Sequence, residues 1–318
     1  QAPGLRVFLP GELNITRAQR GSLSGWAVGL MRTLNLRAAR IAAEFPVRAA
    51  DALRRAGVRL DVVEGALFPE RAVKTPLELR RIAECQRAAV RALKAAVALI
   101  AGAREDGCGR LTAGGRPLTS ECVRGEIARI LLGCTCSGEG TIVAGGRQSA
   151  NPHGEGRGPL RAHEPIVLDI FPRHLQHGYW GDLTRTVVKG TPPPVLRAQY
   201  EAVKAAQAAA LAAIRAGVSG RRVHAAAAAC LARRGYQTGL LDGRAQGFIH
   251  STGHGLGLAV HEAPSLGLRP GRLRAGNVVT VEPGLYYADR GGVRIEDTVE
   301  VTASGCRRLA ACPDYFQV

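Results

Sequence analysis

The apolar positions that follow residue 75 recur at helical spacing and predict a long amphipathic helix. In the stretch ELRRIAECQRAAVRALKAAVALIAGA, residues three and four positions apart fall on one helix face, and that face is apolar. Thr75 can cap the start of the helix, and Pro76 fits its first turn. The face that we expect to be buried carries Ile82, Cys85, Ala89, Leu93 and Val97.

Three further helices are predicted by the same criterion. One follows the stretch LTSECVRGEIARILLG and is opened by Thr119 or Ser120. Two Ala-rich helices follow, at about residues 196–216 and 221–234. Their composition indicates packing and no chemistry of their own.

Apolar runs of strand length in the C-terminal half form two matching pairs. PIVLD is followed by GDLTRTVV, and NVVTVE is followed by GVRIEDTVEVT. The first pair offers Asp169 and Asp182, 13 residues apart, and the second offers Glu282 and Glu296, 14 residues apart. Two β-hairpins of this kind would form a pseudo-symmetric cup, because strand alternation fixes the direction of each carboxylate.

Four carboxylates that face one cup indicate a metal centre. Without cations they would repel one another, whereas two divalent ions roughly 3.5–4 Å apart would hold them together and activate water for hydrolysis. His254, in the segment GHGLG, adds an imidazole. The five candidate ligands are therefore Asp169, Asp182, His254, Glu282 and Glu296. A structural alternative exists for two of them, because Arg185 follows Asp182 and Arg294 flanks Glu296, but the matching spacing of the acidic pairs favours metal.

Histidines in the stretch HSTGHGLGLAVHEAP add candidates for catalysis. His250 and His254 have the i, i+4 spacing of a helical metal site, but the glycines beside His254 favour a loop and strand that bring its ring close to the ions. His250 and His261 then remain as groups that contact substrate, and His153 in SANPHGEG is a candidate for the rim of the cleft. Each could equally be a partly buried structural histidine. We expect the remaining four on the surface: His163, His174, His177 and His224.

The composition fits a globular protein and raises one question, its charge. The 318 residues are 46% hydrophobic and 22% charged, with aromatics at 4%. The net charge of +17 could indicate a nucleic-acid partner, but the arginines are scattered and form no basic stripe interleaved with aromatics. We therefore expect no nucleic-acid partner.

The sequence indicates neither export nor a membrane. The eight cysteines form no CxxC pair, so we expect free thiols in a reducing compartment. We find no apolar run long enough to span a membrane and no recognisable signal peptide. The expected location is the cytoplasm.

Residues 1–73 differ in pattern from the rest of the chain. The stretch RAADALRRAGVRLDVVEG predicts a helix followed by a strand, whereas the lead-in, residues 1–21, is weakly patterned. The segment is short for a domain core of its own. We expect residues 1–73 to form an incomplete N-terminal segment and residues 74–318 to form the catalytic domain.

The five ligands, together with the segments IVLDIFPR, GDLTRT, GHGLG, TVEPG and RIEDT, resemble the pita-bread metallopeptidases, which include methionine aminopeptidase, aminopeptidase P and prolidase. The resemblance covers roughly residues 74–310. It implies an α+β pita-bread fold with a pseudo-two-fold repeat, preceded by a short, truncated α/β creatinase-like segment. It also implies that Asp169 binds one ion, that Asp182 and Glu296 bridge both ions, and that His254 and Glu282 complete the second.

The same resemblance assigns catalytic roles. His153, His250 and His261 match positions that contact the substrate or stabilise the tetrahedral intermediate, and Glu282 matches a carboxylate that moves a proton. The stretch HSTGHGLGLAVHE, with a segment upstream, is closer to the aminopeptidase P and prolidase branch. This implies a homodimeric exopeptidase that takes a peptide with a free N-terminus and cleaves after the residue that precedes proline.

The expected cofactors are two divalent ions, with Mn²⁺ favoured by the oxygen-rich ligands and Co²⁺, Zn²⁺ and Fe²⁺ as alternatives. Three other functions stay open: a methionine aminopeptidase-like enzyme, a creatinase-like hydrolase that works without metal, and a non-catalytic pita-bread protein that binds nucleic acid or ribosomes. The stretch from Asp169 to Asp182 is longer than is usual in the family, which leaves the preferred substrate length open.

Overall fold

The computed structural model describes residues 8–9, 11–13, 15–17, 19–269 and 271–318, and these residues form both helices and strands. The helices are α1 (Leu23–Thr33), α2 (Val47–Arg55), α3 (Pro76–Ala101), α4 (Ser120–Gly133), α5 (Pro194–Ala213) and α6 (Gly220–Arg233). The strands are β1 (Ala38–Ala42), β2 (Arg59–Val63), β3 (Arg104–Glu105), β4 (Leu111–Ala113), β5 (Arg116–Pro117), β6 (Cys136–Ser137), β7 (Ile142–Gly145), β8 (Ile166–Ile170), β9 (Arg173–His174), β10 (Leu183–Val187), β11 (Gly239–Leu241), β12 (Arg244–Gln246), β13 (Val278–Val281), β14 (Gly284–Tyr287), β15 (Gly291–Arg294), β16 (Asp297–Val301) and β17 (Cys306–Arg308).

The chain divides into two compact units, Gln1–Pro69 and Glu70–Val318. In the first unit, β1 and β2 pair in parallel, and α1 and α2 share a small apolar core. The predicted helix followed by a strand is confirmed as α2 and β2, whereas the sequence pattern did not predict α1 and β1. The weakly patterned lead-in, residues 1–21, lies partly outside the described residues.

The second unit begins with the predicted long helix, and its start is capped as expected. The backbone N–H of Glu78 donates to Thr75 Oγ1 at 3.3 Å, and the N–H of Thr75 donates to Glu78 Oε2 at 2.8 Å. The predicted face is buried: Ile82, Cys85, Ala89, Leu93 and Val97. In the part of the chain that the structure describes, no helix is long and apolar enough to cross a membrane.

The second unit contains two similar halves, each built from a helix pair and an antiparallel sheet. In the first half, α3 and α4 cover the sheet β10-β8-β7, and Leu93, Ile127 and Leu168 lie in its core. In the second half, α5 and α6 cover β13-β16-β17 and the hairpin β14-β15, with Val203 and Val279 in the core. This arrangement of two similar halves agrees with the predicted pseudo-two-fold repeat.

The predicted strand pairs form, but the connections differ from simple hairpins. β8 pairs with β10 and β13 pairs with β16, both antiparallel. Between β8 and β10 the chain adds β9, which pairs with β6. Between β13 and β16 it adds the hairpin β14-β15. Each pair of acidic residues is thus separated by a structured insertion.

Candidate metal centre

The four carboxylates lie in or at the ends of the paired strands. Asp169 is within β8, opposite Thr184 of β10. Asp182 directly precedes β10, Glu282 directly follows β13, and Glu296 directly precedes β16. Residues at strand ends are free of part of the sheet ladder, so their backbones can bend the carboxylates toward a common point.

Threonines join the two halves at this point. Thr184 Oγ1 donates to Glu296 Oε2 at 2.7 Å, and Thr298 Oγ1 donates to the carbonyl of Asp182 at 2.8 Å. The N–H of Glu296 also donates to the carbonyl of Thr184 at 3.0 Å. Each half therefore fixes an acidic residue of the other, which makes the site depend on both.

His254 reaches the site on a loop that only glycine permits. A Cβ on Gly253 would lie 2.0 Å from the carbonyl oxygen of Thr280, and one on Gly255 would lie 2.4 Å from the carbonyl oxygen of Ala263. The residues around His254 form a loop and not a helix, as the sequence predicted. The Nε2 atom of His254 lies 3.2 Å from Glu282 Oε1.

The structure brings three of the five predicted ligands into one group. Ligand atoms of Asp182, His254 and Glu296 all lie within 4.8 Å of one another, and Glu282 adjoins them through His254. Asp169 stands beside this group, and its Oδ2 atom accepts a hydrogen bond from Arg294. The charge of Asp169 nevertheless acts on this group, because it raises the pKa of Asp182.

Burial and mutual repulsion set the protonation of this cluster. Burial first, and the charge of Asp169 next, raise the pKa of Asp182 well above its usual range. Burial and the charge of Asp182 do the same to the pKa of Glu296. Burial, the largest single effect, opposes ionisation of Glu282 and His254, but the hydrogen bond between them and the charges around them together outweigh it, so that the pKa of Glu282 falls to about 2 and that of His254 rises to about 9. The cluster thus has one ion pair and two carboxyls that favour the neutral form.

Two buried oxygens are suited to bind a cation. Asp169 Oδ1 and Glu296 Oε1 are buried, and neither has a hydrogen-bond partner among the described residues. An unpaired buried carboxylate oxygen is unfavourable unless a metal or a proton satisfies it. The donor set of four carboxylates and one imidazole suits divalent ions, so the residues fit the metal centre that the sequence predicts.

The three predicted catalytic histidines differ in their surroundings. The ring of His261 packs edge-on against the ring of His254, with centroids 4.2 Å apart. His250 is held between two partners, with Nδ1 2.7 Å from the carbonyl oxygen of Ser251 and Nε2 2.9 Å from the hydroxyl of Tyr286. Burial lowers the pKa of His250 and favours its neutral form. His153 is exposed, and its backbone N–H donates to the Asn151 side chain.

The neutral form of His250 has one consistent tautomer. The carbonyl of Ser251 can only accept, so Nδ1 carries the proton and Nε2 accepts from the hydroxyl of Tyr286. Tyr286 Oη in turn accepts from Arg294 Nη1 at 2.7 Å. His250 thus ends a hydrogen-bonded chain that starts at Arg294.

Arg294 belongs to this centre through contacts that the sequence did not predict. The sequence suggested a salt bridge with Glu296, whereas the Nη2 atom of Arg294 donates to Asp169 Oδ2 at 2.6 Å and its Nε atom lies 3.3 Å from Thr184 Oγ1. β15 ends at Arg294 and β16 begins at Asp297, so Arg294 and Glu296 do not lie on one continuous strand. The other structural alternative was also wrong: Arg185 pairs with Asp297 at 2.8 Å and not with Asp182.

Three of the four histidines that we expected on the surface are not exposed, and two of these, His174 and His177, form a second cluster. His174 is 5% exposed, and its ring stacks on that of His177 at 3.7 Å, with Nε2 atoms 3.8 Å and 3.5 Å from the carboxylate of Glu84. The spacing resembles that of a metal site. However, both Nδ1 atoms accept backbone N–H groups, from Gln176 and Tyr179 respectively. Each Nε2 therefore carries the proton of the neutral ring and has no lone pair for a metal.

The other two of these four differ from each other. His163 is exposed, as expected. His224 is half-buried, and its Nδ1 atom lies 3.0 Å from the hydroxyl of Thr252 in the histidine-bearing loop. The expectation of a surface position is therefore wrong for His224 as well, because α6 packs beside that loop.

Comparison with known proteins identifies this arrangement. Residues 80–303 match the model of metallopeptidase family M24. The chain is 40% identical over 173 residues to an uncharacterised peptidase, YqhT, of Bacillus subtilis, and 38% identical over 171 residues to an Xaa-Pro dipeptidase of Pyrococcus furiosus. These matches cover 54% and 53% of this chain and 46% of each relative, so the chain spans about half the length of the curated relatives that it matches.

Solved structures give the same assignment. The Xaa-Pro dipeptidase from Bacillus anthracis has a TM-score of 0.80 at 28% identity, and the match covers 94% of this chain and 79% of that one. The fold is the pita-bread fold of the prolidases and aminopeptidase P, as the sequence predicted, and enzymes of this family are dinuclear metal enzymes. Because the family model matches more than half of the sequence, this chain belongs to metallopeptidase family M24.

Proposed function

We propose that this chain is a two-metal exopeptidase that cleaves the peptide bond between an N-terminal residue and proline. The observation that carries the proposal is the convergence of Asp182, His254 and Glu296, whose ligand atoms lie within 4.8 Å of one another. Similarity to proteins named Xaa-Pro dipeptidase supports the choice of substrate. A methionine aminopeptidase-like preference is the main competing assignment, and it differs only in the residues accepted on either side of the bond.

Five residues would hold the ions: Asp169, Asp182, His254, Glu282 and Glu296. When bound, two divalent ions lower the pKa of a water toward neutrality and polarise the scissile carbonyl. The two buried carboxylate oxygens without a partner, on Asp169 and Glu296, support this assignment. Of the available ions we propose Mn²⁺, because hard oxygen ligands dominate the set.

The remaining groups would orient the substrate and move protons. His261 lies beside His254 and is exposed, so its ring can reach a bound peptide and donate a hydrogen bond to the developing oxyanion. His250 Nε2 already accepts a hydrogen bond from the hydroxyl of Tyr286, so we propose that His250 holds the side chains of Tyr286 and Arg294 in place. Glu282 lies at the centre, with Oε1 3.2 Å from His254 Nε2, and we assign it the transfer of a proton to the leaving nitrogen. His153 would contact the substrate from the rim.

We also propose a homodimer in the cytoplasm, with residues 1–73 as an N-terminal segment and residues 74–318 as the catalytic domain. The eight cysteines, all within the described residues, are free thiols, which is compatible with a reducing compartment. The compact unit that ends at Pro69 supports the division of the chain.

A panel of three peptides tests the proposed reaction. Metal-free protein is assayed with an Xaa-Pro dipeptide, an Xaa-Pro-Xaa tripeptide and Met-Ala-Ser, each with and without Mn²⁺. The proposal predicts metal-dependent release of the residue before proline, and the ratio of dipeptide to tripeptide turnover gives the preferred length. Cleavage of Met-Ala-Ser alone would support the competing assignment.

A further inference from the structure

A buried glutamine on α3 forms a two-way hydrogen bond with the backbone of a metal-ligand candidate. Gln86, 2% exposed, donates from Nε2 to the carbonyl of Asp182 at 2.6 Å. In return, the N–H of Asp182 donates to Gln86 Oε1 at 2.8 Å. The amide side chain thus satisfies both backbone groups of one residue.

These contacts replace a missing strand partner. The ladder of β8 and β10 begins at Leu183, which pairs with Ile170, so Asp182 lies just outside it. Without another partner its N–H would be buried and unsatisfied, and its C=O would keep only the hydrogen bond from the Thr298 hydroxyl. Gln86 supplies that partner and fixes the orientation of the peptide from which the Asp182 carboxylate projects.

The approach of α3 to this peptide is built into the sequence. A Cβ on Gly181 would lie 2.8 Å from the backbone carbon of Cys85 and 2.9 Å from the backbone nitrogen of Gln86. Contacts as short as these are not tolerated, so glycine is required for the helix to lie this close. Cys85 adds a further tie, because its Sγ atom donates to the carbonyl of Tyr179 at 3.2 Å.

We propose that Gln86 is a positioning residue that sets the metal affinity of the site through Asp182. The inference rests on the proposed two-metal function and deepens it. Hydrogen-bond partners of metal ligands, although they do not touch the ion, typically change metal affinity by about 10–100-fold when they are removed. Asp182 is one of the residues that would hold the ions, so a change in the direction of its carboxylate should weaken their binding.

The chain offers a matched control in Gln199. This glutamine is also fully buried, and its Nε2 atom donates to two backbone carbonyls, those of Leu285 at 3.0 Å and Gly291 at 3.3 Å. Neither carbonyl belongs to a metal-ligand candidate. Gln86→Met and Gln199→Met therefore remove similar buried hydrogen bonds, and they differ in whether a ligand loses its support.

The test is a calorimetric titration of metal-free wild-type protein and both variants with Mn²⁺, alongside their melting temperatures. We expect both variants to melt below the wild type, while Gln86→Met alone loses about tenfold or more in affinity for at least one ion. Equal affinities in Gln86→Met and Gln199→Met would overturn the inference and leave Gln86 with a purely structural role.

A second variant covers the case in which Gln86→Met does not fold. Gln86→Asn keeps an amide donor and acceptor, but its side chain is one methylene shorter and cannot hold both backbone groups of Asp182 at the wild-type distances. The same loss of Mn²⁺ affinity is expected, and wild-type affinity would overturn the inference. Neither measurement requires peptide cleavage, so protein that binds Mn²⁺ in a Gln86-dependent manner but cleaves no Xaa-Pro peptide would refute the proposed function alone.

Discussion

Replacing Arg294 tests whether its positive charge, which lies beside the metal centre, stabilises the folded protein. The side chain is 3% exposed and donates to Asp169 Oδ2 at 2.6 Å and to Tyr286 Oη at 2.7 Å. Arg294→Met keeps most of the volume and removes the charge. In metal-free protein the Asp169 carboxylate would then be buried with no partner on either oxygen, since its Oδ1 atom already lacks one.

The expected loss of stability follows from the burial of the Arg294–Asp169 ion pair. Removing one partner of a buried ion pair destabilises a protein by about 3–5 kcal/mol. For a unit of this size each kcal/mol lowers the melting temperature by about 2–4 °C, so the expected decrease is about 6–20 °C. Bound Mn²⁺ places positive charge near Asp169, and we expect the decrease to be smaller in metal-loaded protein.

The assay is thermal unfolding by circular dichroism, with chelator and with Mn²⁺, beside the control Arg307→Met. Arg307 has a side chain that is 69% exposed and pairs with Glu300 on the surface. Such an exposed pair contributes little to stability, so the control should melt close to wild type. The reasoning is refuted if both variants melt at the same temperature in chelator.

Three further predictions concern the ligands, the histidine beside them and the pH dependence. Glu296→Ala or Asp182→Ala should lose both ions and nearly all turnover, measured by metal analysis and peptide cleavage; retention of two ions and full activity would show that these residues do not bridge. His261→Ala should lower kcat and keep the metal content of the wild type, whereas loss of metal would show that His261 is a ligand. In chelator, urea unfolding should show stability falling as the pH rises above about 4.3, because the raised pKa values of Asp182 and Glu296 make the folded state bind more protons than the unfolded state. Saturating Mn²⁺ should weaken this slope, and a flat profile in chelator would contradict the protonation that we describe.

Much of the second unit could be predicted from the sequence, because its signals are local. Thr75 and Thr119 cap helices at the expected positions, and the apolar spacing of α3 gave its buried face. The candidate ligands were recognisable because each acidic residue lies within or directly beside an apolar strand segment, and the structure places Asp182, His254 and Glu296 together.

The parts that could not be predicted depend on contacts between distant segments. Gln86 lies on the buried side of a helix and gave no sign in the sequence that its amide meets Asp182, 96 residues further along the chain. His174 and His177 occupy the insertion between β8 and β10, and their burial depends on α3 and β6. In the first unit, α1 contains two glycines, Gly25 and Gly29, which have low helix propensity, and three of the five residues of β1 are alanines, which are poor strand formers.

A metal titration of activity tests whether two ions at this centre are required for peptide cleavage. Metal-free protein receives increasing Mn²⁺ while bound metal and Xaa-Pro cleavage are measured on the same samples. We predict no cleavage in chelator and a rise that saturates when two ions are bound per chain. Full cleavage of the peptide without any bound ion, or two bound ions with no cleavage of any peptide, would show that the two-metal proposal is wrong.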